Sequence, residues 1–329
     1  MRRDKVIIFS GTANPALAKS VASILDSPLG DCAISRFPDG EVSVRIDEPV
    51  RGREVFLIQP TSPPVNDNLV ELLAMADACH RSSAGAITAI VPYFGYARSD
   101  KRHGRREPIT ASMIAVLMQA VGIRHVVMVD LHSSQIEGFF QTAVDNLTAV
   151  PTLCEFLRRR VPSGTVVISP DEGRVKMAID YARRLDTSIA VLHKERKSGT
   201  ETRVINVVGE VRDRPCLIID DMISTGGTIA ESIDALLAAG ARPEITIAAS
   251  HGLLLDGAKE KLSHAAIREV VVTDTIPIFN KRWPQLQVVS VGPLIAAAIQ
   301  CFMEDRSLTA LFRNGLIRSA NGRHLTRGH

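Results

Sequence analysis

No two of the five cysteines, Cys32, Cys79, Cys154, Cys216 and Cys301, stand close enough for a C-x-x-C metal or redox pair. An odd, scattered set of this kind suits reduced thiols in a cytoplasmic protein. No apolar stretch approaches ~20 residues, so no membrane span is expected. The apolar run at residues 6–9 is too short for a signal-peptide core. Net charge is only +3 over 329 residues, too little to make nucleic acid the main partner. A polyanionic small molecule suits local basic patches as well. The one glycine-rich turn that could face a phosphate, at 224–228, lacks the Gly-Lys-Ser/Thr of a Walker A loop.

What the chain does have is the mix of a soluble globular protein, 45% apolar and 23% charged, at a length that accommodates about two domains. Short apolar, β-branched runs at 6–9, 55–59, 86–91, 126–129, 166–169, 189–192, 216–219, 245–250, 269–273 and 288–290 read as strands. Their continuous apolar character fits strands covered on both faces. Helical period appears at 16–25, 66–82, 110–121, 150–160, 175–185 and 227–239. This alternation predicts an α/β fold with open, mainly parallel sheets flanked by helices. Each half offers a strand, a basic loop (96–106 or 194–203), then a strand ending in acid (Asp130 or Asp220-Asp221), an order consistent with duplication. The expected domains are 1–148, completed by 300–315, and 149–299. Residues 316–329 form a basic tail, expected to be flexible.

The strongest local signal is the run from Leu217 to Thr228. An apolar strand delivers Asp220 and Asp221, then a turn of Ser224, Thr225, Gly226, Gly227 and Thr228 leads into a helix. Small residues let backbone N–H groups approach a phosphate, and a helix N-terminus adds partial positive charge. The two carboxylates can accept hydrogen bonds from vicinal sugar hydroxyls. The bland alternative is an ordinary helix start with incidental acids. The ordered set of parts matches the ribose-phosphate loop of the type I phosphoribosyltransferase fold.

Six further segments precede it in order: Phe37-Pro-Asp-Gly-Glu41, Pro92-Tyr-Phe-Gly-Tyr-Ala-Arg98, Arg106-Glu-Pro-Ile-Thr110, the stretch from Asp130 to Phe140, Ser169-Pro-Asp171 and Lys194-Glu-Arg196. With them the chain, from about Val6 to Phe312, resembles the ribose-phosphate diphosphokinase family. The resemblance implies two tandem phosphoribosyltransferase-like domains, a homo-oligomer that is hexameric or dimer-based, and a Mg²⁺-ATP site between the domains. It implies transfer of the β,γ-diphosphate of ATP to the C1 hydroxyl of ribose 5-phosphate. Phe37, Asp39 and Glu41 would serve the adenine pocket of a neighbouring subunit. Arg98, Ser99, Asp100, Lys101 and His132 would contact ATP, His132 and Asp171 would stand at Mg²⁺, and Lys194 and Arg196 would stabilise the transferring group. Asp220, Asp221 and residues 224–228 would hold ribose 5-phosphate. Segments 307–312 and 81–83 resemble parts of an intersubunit site for phosphate activation and ADP inhibition.

Each assignment has a plainer rival. Pro-Asp-Gly is strong turn chemistry by itself. A lone histidine after an apolar strand is commonly a packed residue, although α/β sites gather at that strand edge. Charge runs such as 98–106 and 194–203 are commonly solvated loops. Loops of that kind are nevertheless what phosphoryl transfer needs, because positioning and charge neutralisation dominate it.

Departures from the family's commonest pattern also matter. Ser224 stands where many members have Asp, Ser99 where Gln is usual, and Glu172 and Arg174 where small residues are usual. The sequence leaves open whether Glu172 and Arg174 pair internally or face solvent. Two other readings therefore stand beside the enzyme: a phosphoribosyltransferase that consumes the activated sugar, and a non-catalytic regulatory homologue.

Overall fold

The computed structural model describes residues 5–102, 104–196, 202–278, 283–309 and 311, with the backbone alone at 194–196 and 202–205. The chain divides into two compact units. One holds residues up to Thr148 with Thr275–Pro277 and the chain from Ser290; the other holds Ala149–Asp274 and Ile278–Val289.

In the first unit the order is β1 (Val6–Ser10), α1 (Pro15–Leu25), β2 (Cys32–Arg36), β3 (Val42–Ile46), β4 (Glu54–Ile58), α2 (Val65–Arg81), β5 (Ala86–Val91), α3 (Thr110–Ala120), β6 (His125–Val129) and β7 (Ala143–Leu147). Strands β1, β4, β5, β6 and β7 form one sheet in that spatial order, every pair parallel. Parallel neighbours need covering helices on the crossovers, and a strand covered on both faces gains from being apolar throughout. Thus Ile8, Phe9, Val55, Phe56 and Leu57 are fully buried, each contributing about 1.5–3 kcal/mol. Helix α2 turns Leu69, Leu72, Met75, Ala76 and Cys79 inward at helical spacing. Helix α1 begins on Asn14, whose side-chain oxygen accepts the Leu17 N–H at 3.3 Å.

Strands β2 and β3 form a separate antiparallel hairpin. Arg36 lies 3.9 Å from Asp67 and 3.8 Å from Glu71, both on α2, which ties the hairpin to the unit.

The second unit contains α4 (Val150–Leu157), β8 (Val166–Ser169), α5 (Val175–Leu185), β9 (Ser188–Arg196), β10 (Thr202–Val208), β11 (Cys216–Ile223), α6 (Gly227–Ala238), β12 (Ile245–Gly252), α7 (Ala258–Lys261), β13 (Ile267–Thr273) and β14 (Leu286–Val289). Its seven-stranded sheet runs β10-β9-β8-β11-β12-β13-β14. All neighbours are parallel except the edge pair β9 and β10. The chain then forms α8 (Gly292–Met303), which packs on α1 and brings Phe302 edge-on to His125, centroids 4.8 Å apart. Helix α8 therefore lies in the first unit, whereas the sequence expectation runs the second domain to residue 299.

The α/β class with mainly parallel sheets is as expected. One correction concerns the stretch 194–203, expected to be a basic loop. The β9–β10 ladder extends to Arg196 paired with Thr202, so Lys194 and Arg196 belong to a strand. Alternating polar and apolar residues on an edge pair conceal that strand from a search for apolar runs. Residues 197–201, the tail at 316–329 and the side chains of Lys194 and Arg196 lie outside the described residues.

Candidate active site

In the second unit, β8 and β11 are parallel neighbours, so their carboxyl ends and the turns beyond them meet at one rim of the sheet. Strand β11 carries Asp220 and Asp221 and continues to Ile223. The turn after it is anchored by Leu254 and Leu255, whose N–H groups donate to Ile223 and Ser224 carbonyls at 3.0 Å. Gly226 then adopts φ 75°, and a Cβ there would come 3.3 Å from the Leu262 side chain. A left-handed position is readily filled only by glycine. Helix α6 starts at Gly227 with no side chain capping it. Its orphan first-turn N–H groups and the helix dipole form an anion-receptive end. Thr225 and Thr228 are exposed beside it, Ser224 is half-buried, and a Cβ at Gly227 would meet only the Thr225 hydroxyl, at 3.9 Å.

From the β8 side, Asp171 caps a 3₁₀ turn over Glu172–Arg174, its carboxylate accepting the Arg174 N–H at 3.2 Å. The Arg174 side chain reaches across to both acids of β11. Nε lies 3.2 Å from Asp220 Oδ1, and Nη2 lies 2.8 Å from Asp221 Oδ1. Glu172 instead turns to His193, 2.9 Å from Nδ1. The pair that the sequence left open thus splits: Arg174 enters the acid cluster and Glu172 stays exposed.

Burial pushes the Asp220 carboxyl well above the ordinary carboxylate range, adjacent Asp221 pushes the same way, and Arg174 pulls it back. At Arg174 burial opposes the charge, but Asp221, Asp220 and Asp171 outweigh it and the guanidinium pKa is raised. These two directions do not describe one simple ion pair. A guanidinium is charged at every physiological pH, so at least one acid beside it is ionised. Asp221 is the nearer of the two, at 2.8 Å from Nη2.

In the first unit the Phe37–Glu41 segment is the tip of the β2–β3 hairpin. Phe37 N–H donates to the Glu41 carbonyl at 2.8 Å, and the Asp39 carboxylate accepts the Glu41 N–H at 3.1 Å. The turn leaves Phe37 with 53% of its surface exposed, which apolar burial alone does not explain. The segment after β5 presents Arg98, Lys101, Arg102, Arg105 and Arg106 to solvent. Ser99 is engaged at the start of α3, its hydroxyl accepting the Thr110 N–H at 3.3 Å.

Asp100 is buried and meets the turn after β6, where it accepts from Gln135. Burial raises its pKa, but hydrogen bonds from Ser133 and Gln135 and the charge of His132 outweigh that and hold it below the usual value. The fold thus brings Asp100 and His132 together from segments about 30 residues apart in sequence. Asp130, just before, has φ 40°. Sequence reasoning assigned no role to Ser133, Gln135 or Arg174. Arg174 had a signal, since it comes soon after Ser169-Pro-Asp171, but not its direction; Ser133 and Gln135 had none.

Among the described residues no cluster of three or more His, Cys, Asp or Glu side chains forms a cage for a metal. No helix among those residues is long and apolar enough to cross a membrane.

Residues 6–122 match the model of the N-terminal domain of ribose phosphate pyrophosphokinase, and residues 199–313 that of the phosphoribosyl synthetase-associated domain. A ribose-phosphate pyrophosphokinase of Thermotoga maritima is 46% identical over 93% of this chain and 98% of its own. One of Rhodopirellula baltica is 45% identical over the same shares. The crystal structure of phosphoribosylpyrophosphate synthetase from Mycobacterium smegmatis superposes with a TM-score of 0.86 at 42% identity, over 92% of this chain and 99% of that one. Near-complete coverage at such identity, with both halves matched in order, leaves one conclusion: the chain belongs to the ribose-phosphate pyrophosphokinase family.

Proposed function

We propose that the chain catalyses attack of the C1 hydroxyl of ribose 5-phosphate on the β-phosphorus of ATP, releasing AMP and 5-phosphoribosyl 1-diphosphate. The observation that carries this reading is the passage from β11 through residues 224–228 into α6. Two acids and an uncapped helix end stand there side by side. The helix end receives the 5-phosphate, with the Thr225 and Thr228 hydroxyls donating to it. Asp220 and Asp221 accept from the ribose hydroxyls and so orient C1, which converts an encounter into a positioned attack.

On the nucleotide side, exposed Phe37 stacks on the adenine while Asp39 and Glu41 accept from its amino group. Arg98, Ser99, Asp100, Lys101 and His132 line the triphosphate, Asp100 by holding the His132 turn in place. Mg²⁺ entering with ATP would be held by phosphate oxygens with His132 and Asp171 as neighbours, and would supply charge neutralisation. Lys194 and Arg196 meet charge that develops on the transferring group, the work that dominates phosphoryl transfer. The family likeness further supports a homo-oligomer, hexameric or dimer-based, in which Phe37 serves a neighbouring copy. It also supports regulation through segments 81–83 and 307–312.

The test is purified protein with ATP, Mg²⁺ and ribose 5-phosphate, followed by chromatography of AMP and the 1-diphosphate sugar. Stoichiometric formation of both is expected. Release of ADP instead, or no dependence on the sugar phosphate, sinks the reading. Light-scattering mass in the same buffer reports the assembly.

A further inference from the structure

We propose that Arg174 is a positioning residue of the sugar site: it holds the Asp220 and Asp221 side chains in one fixed frame that accepts the ribose hydroxyls. This deepens the reading above and rests on it.

The geometry uses what only a guanidinium offers. Nε serves one acid at 3.2 Å and Nη2 the other at 2.8 Å, a planar fork spanning two separate carboxylates. An ammonium could match the charge but not the two directions at once. The fork is itself fixed. Its backbone N–H is held by the Asp171 side chain at 3.2 Å, and the turn sits at the end of β8, next to β11 in the sheet. Asp220 Oδ1 also accepts the Asp221 N–H at 2.8 Å, so one oxygen of Asp220 is committed to the frame.

Charge balance leads to the same residue. Asp221 has 2% of its side chain exposed, Asp220 15% and Arg174 16%. Two adjoining carboxylates that far from water cannot both ionise without a cation. A protonated carboxyl has less capacity to accept hydrogen bonds, and the hydroxyls of a sugar diol need acceptors. Arg174 therefore acts through the two acids, keeping at least one of them an ionised acceptor and both of them aimed. Its neighbour Glu172, exposed and paired with His193, has no such part.

The experiment compares wild type, Arg174→Ala, Arg174→Lys and Glu172→Ala. Isothermal titration with ribose 5-phosphate and steady-state kinetics in both substrates are the readouts, with circular dichroism and Tm to follow the fold. Arg174→Ala is expected to weaken ribose 5-phosphate binding and raise its KM by roughly 10-fold or more, the scale of charge-assisted hydrogen bonds lost from a buried site. The KM for ATP should change far less. Arg174→Lys should recover part of the loss, and Glu172→Ala should match wild type.

Unchanged or tighter sugar binding in Arg174→Ala would make Arg174 a competitor of the sugar and overturn the proposal. So would a lowered Tm with both KM values shifted alike, which is the mark of a merely structural role. If Arg174→Ala does not fold, Arg174→Lys decides alone: wild-type affinity for the sugar phosphate refutes the fork. Wild type that fails to bind ribose 5-phosphate refutes the site reading itself, whatever the variants do.

Discussion

Glu71 takes both donors of Thr12, the backbone N–H at 2.6 Å and the hydroxyl at 2.7 Å, although only 1% of the glutamate is exposed. Gln59 donates to the same carboxylate at 2.8 Å, and its own carbonyl accepts the Ala13 N–H at 3.1 Å. The turn between β1 and α1 thus hangs on one acid of α2. Glu71→Ala takes the acceptor from both Thr12 donors and one of two from the buried Gln59 amide, and should cost about 1–3 kcal/mol. Urea denaturation measures this; a midpoint equal to wild type would refute the bracing role.

Gly226 and Gly227 should respond differently to alanine. At 226 the left-handed backbone and the Leu262 side chain 3.3 Å away oppose a Cβ, so Gly226→Ala should lose about 1–2 kcal/mol of stability. At 227 a Cβ would make only an ordinary contact, 3.9 Å from the Thr225 hydroxyl. Gly227→Ala should fold normally yet raise the KM for ribose 5-phosphate, because the added methyl intrudes where the phosphate meets the helix end. Thermal melts beside kinetics separate the two, and a normal KM in Gly227→Ala argues against that phosphate position.

Phe37→Ala removes an exposed ring and should leave Tm unchanged. Loss of a base-stacking platform should raise the KM for ATP by roughly 10-fold, the lower part of the range of about 1–3 kcal/mol per stacked base. An unaltered KM for ATP would return the hairpin tip to an ordinary turn.

Lys194→Ala should lower kcat on the order of 10²–10³-fold, the scale for removing one transition-state stabiliser. Rapid-quench measurement of AMP formation reads the chemical step directly. Near-normal turnover removes Lys194 from its role.

The cysteines give a pH dependence of known sign. Burial pushes Cys79 and Cys154 up to about 12, and Cys32 and Cys216 to about 11. Unfolded thiols titrate near ~8.5. Raised folded values mean the native state keeps protons that the unfolded chain releases. Stability is therefore fully present below that unfolded value and declines as pH rises toward about 11–12, by up to ~1.4 kcal/mol per pH unit for each thiol. Cys79→Ala should flatten the alkaline limb of a stability-against-pH curve by one proton. An unchanged slope contradicts its burial as a neutral thiol.

Much of the fold is legible in the sequence because parallel, doubly covered strands announce themselves as apolar runs. Residues 86–91 and 166–169, expected as strands, are β5 and β8 to the residue. Strands β2, β3, β7 and β10 escape such a search because half-exposed strands mix polar with apolar residues, as in Ala143–Leu147 with its Asp145 and Asn146. Helix α8 escapes because its apolar residues nearly surround it, which erases the helical period. The loop at 224–228 is readable from spacing alone. The direction of the Arg174 side chain is not, since it depends on β8 and β11 being neighbours, a fact of sheet order.

Asp220 and Asp221 on β11 and the turns after β6 and β8 lie toward the carboxyl ends of their strands, while the chain enters β4 and β8 at the other end through turns holding Gly52 and Gly164. Neither of those glycines has an atom within 4 Å of where a Cβ would stand. Both are left-handed, at φ 68° and 78°, so fluorophores, affinity handles or surface tethers belong on their exposed neighbours Arg51 or Ser163, where they should leave turnover untouched and keep the carboxyl-end rim of that unit's sheet clear.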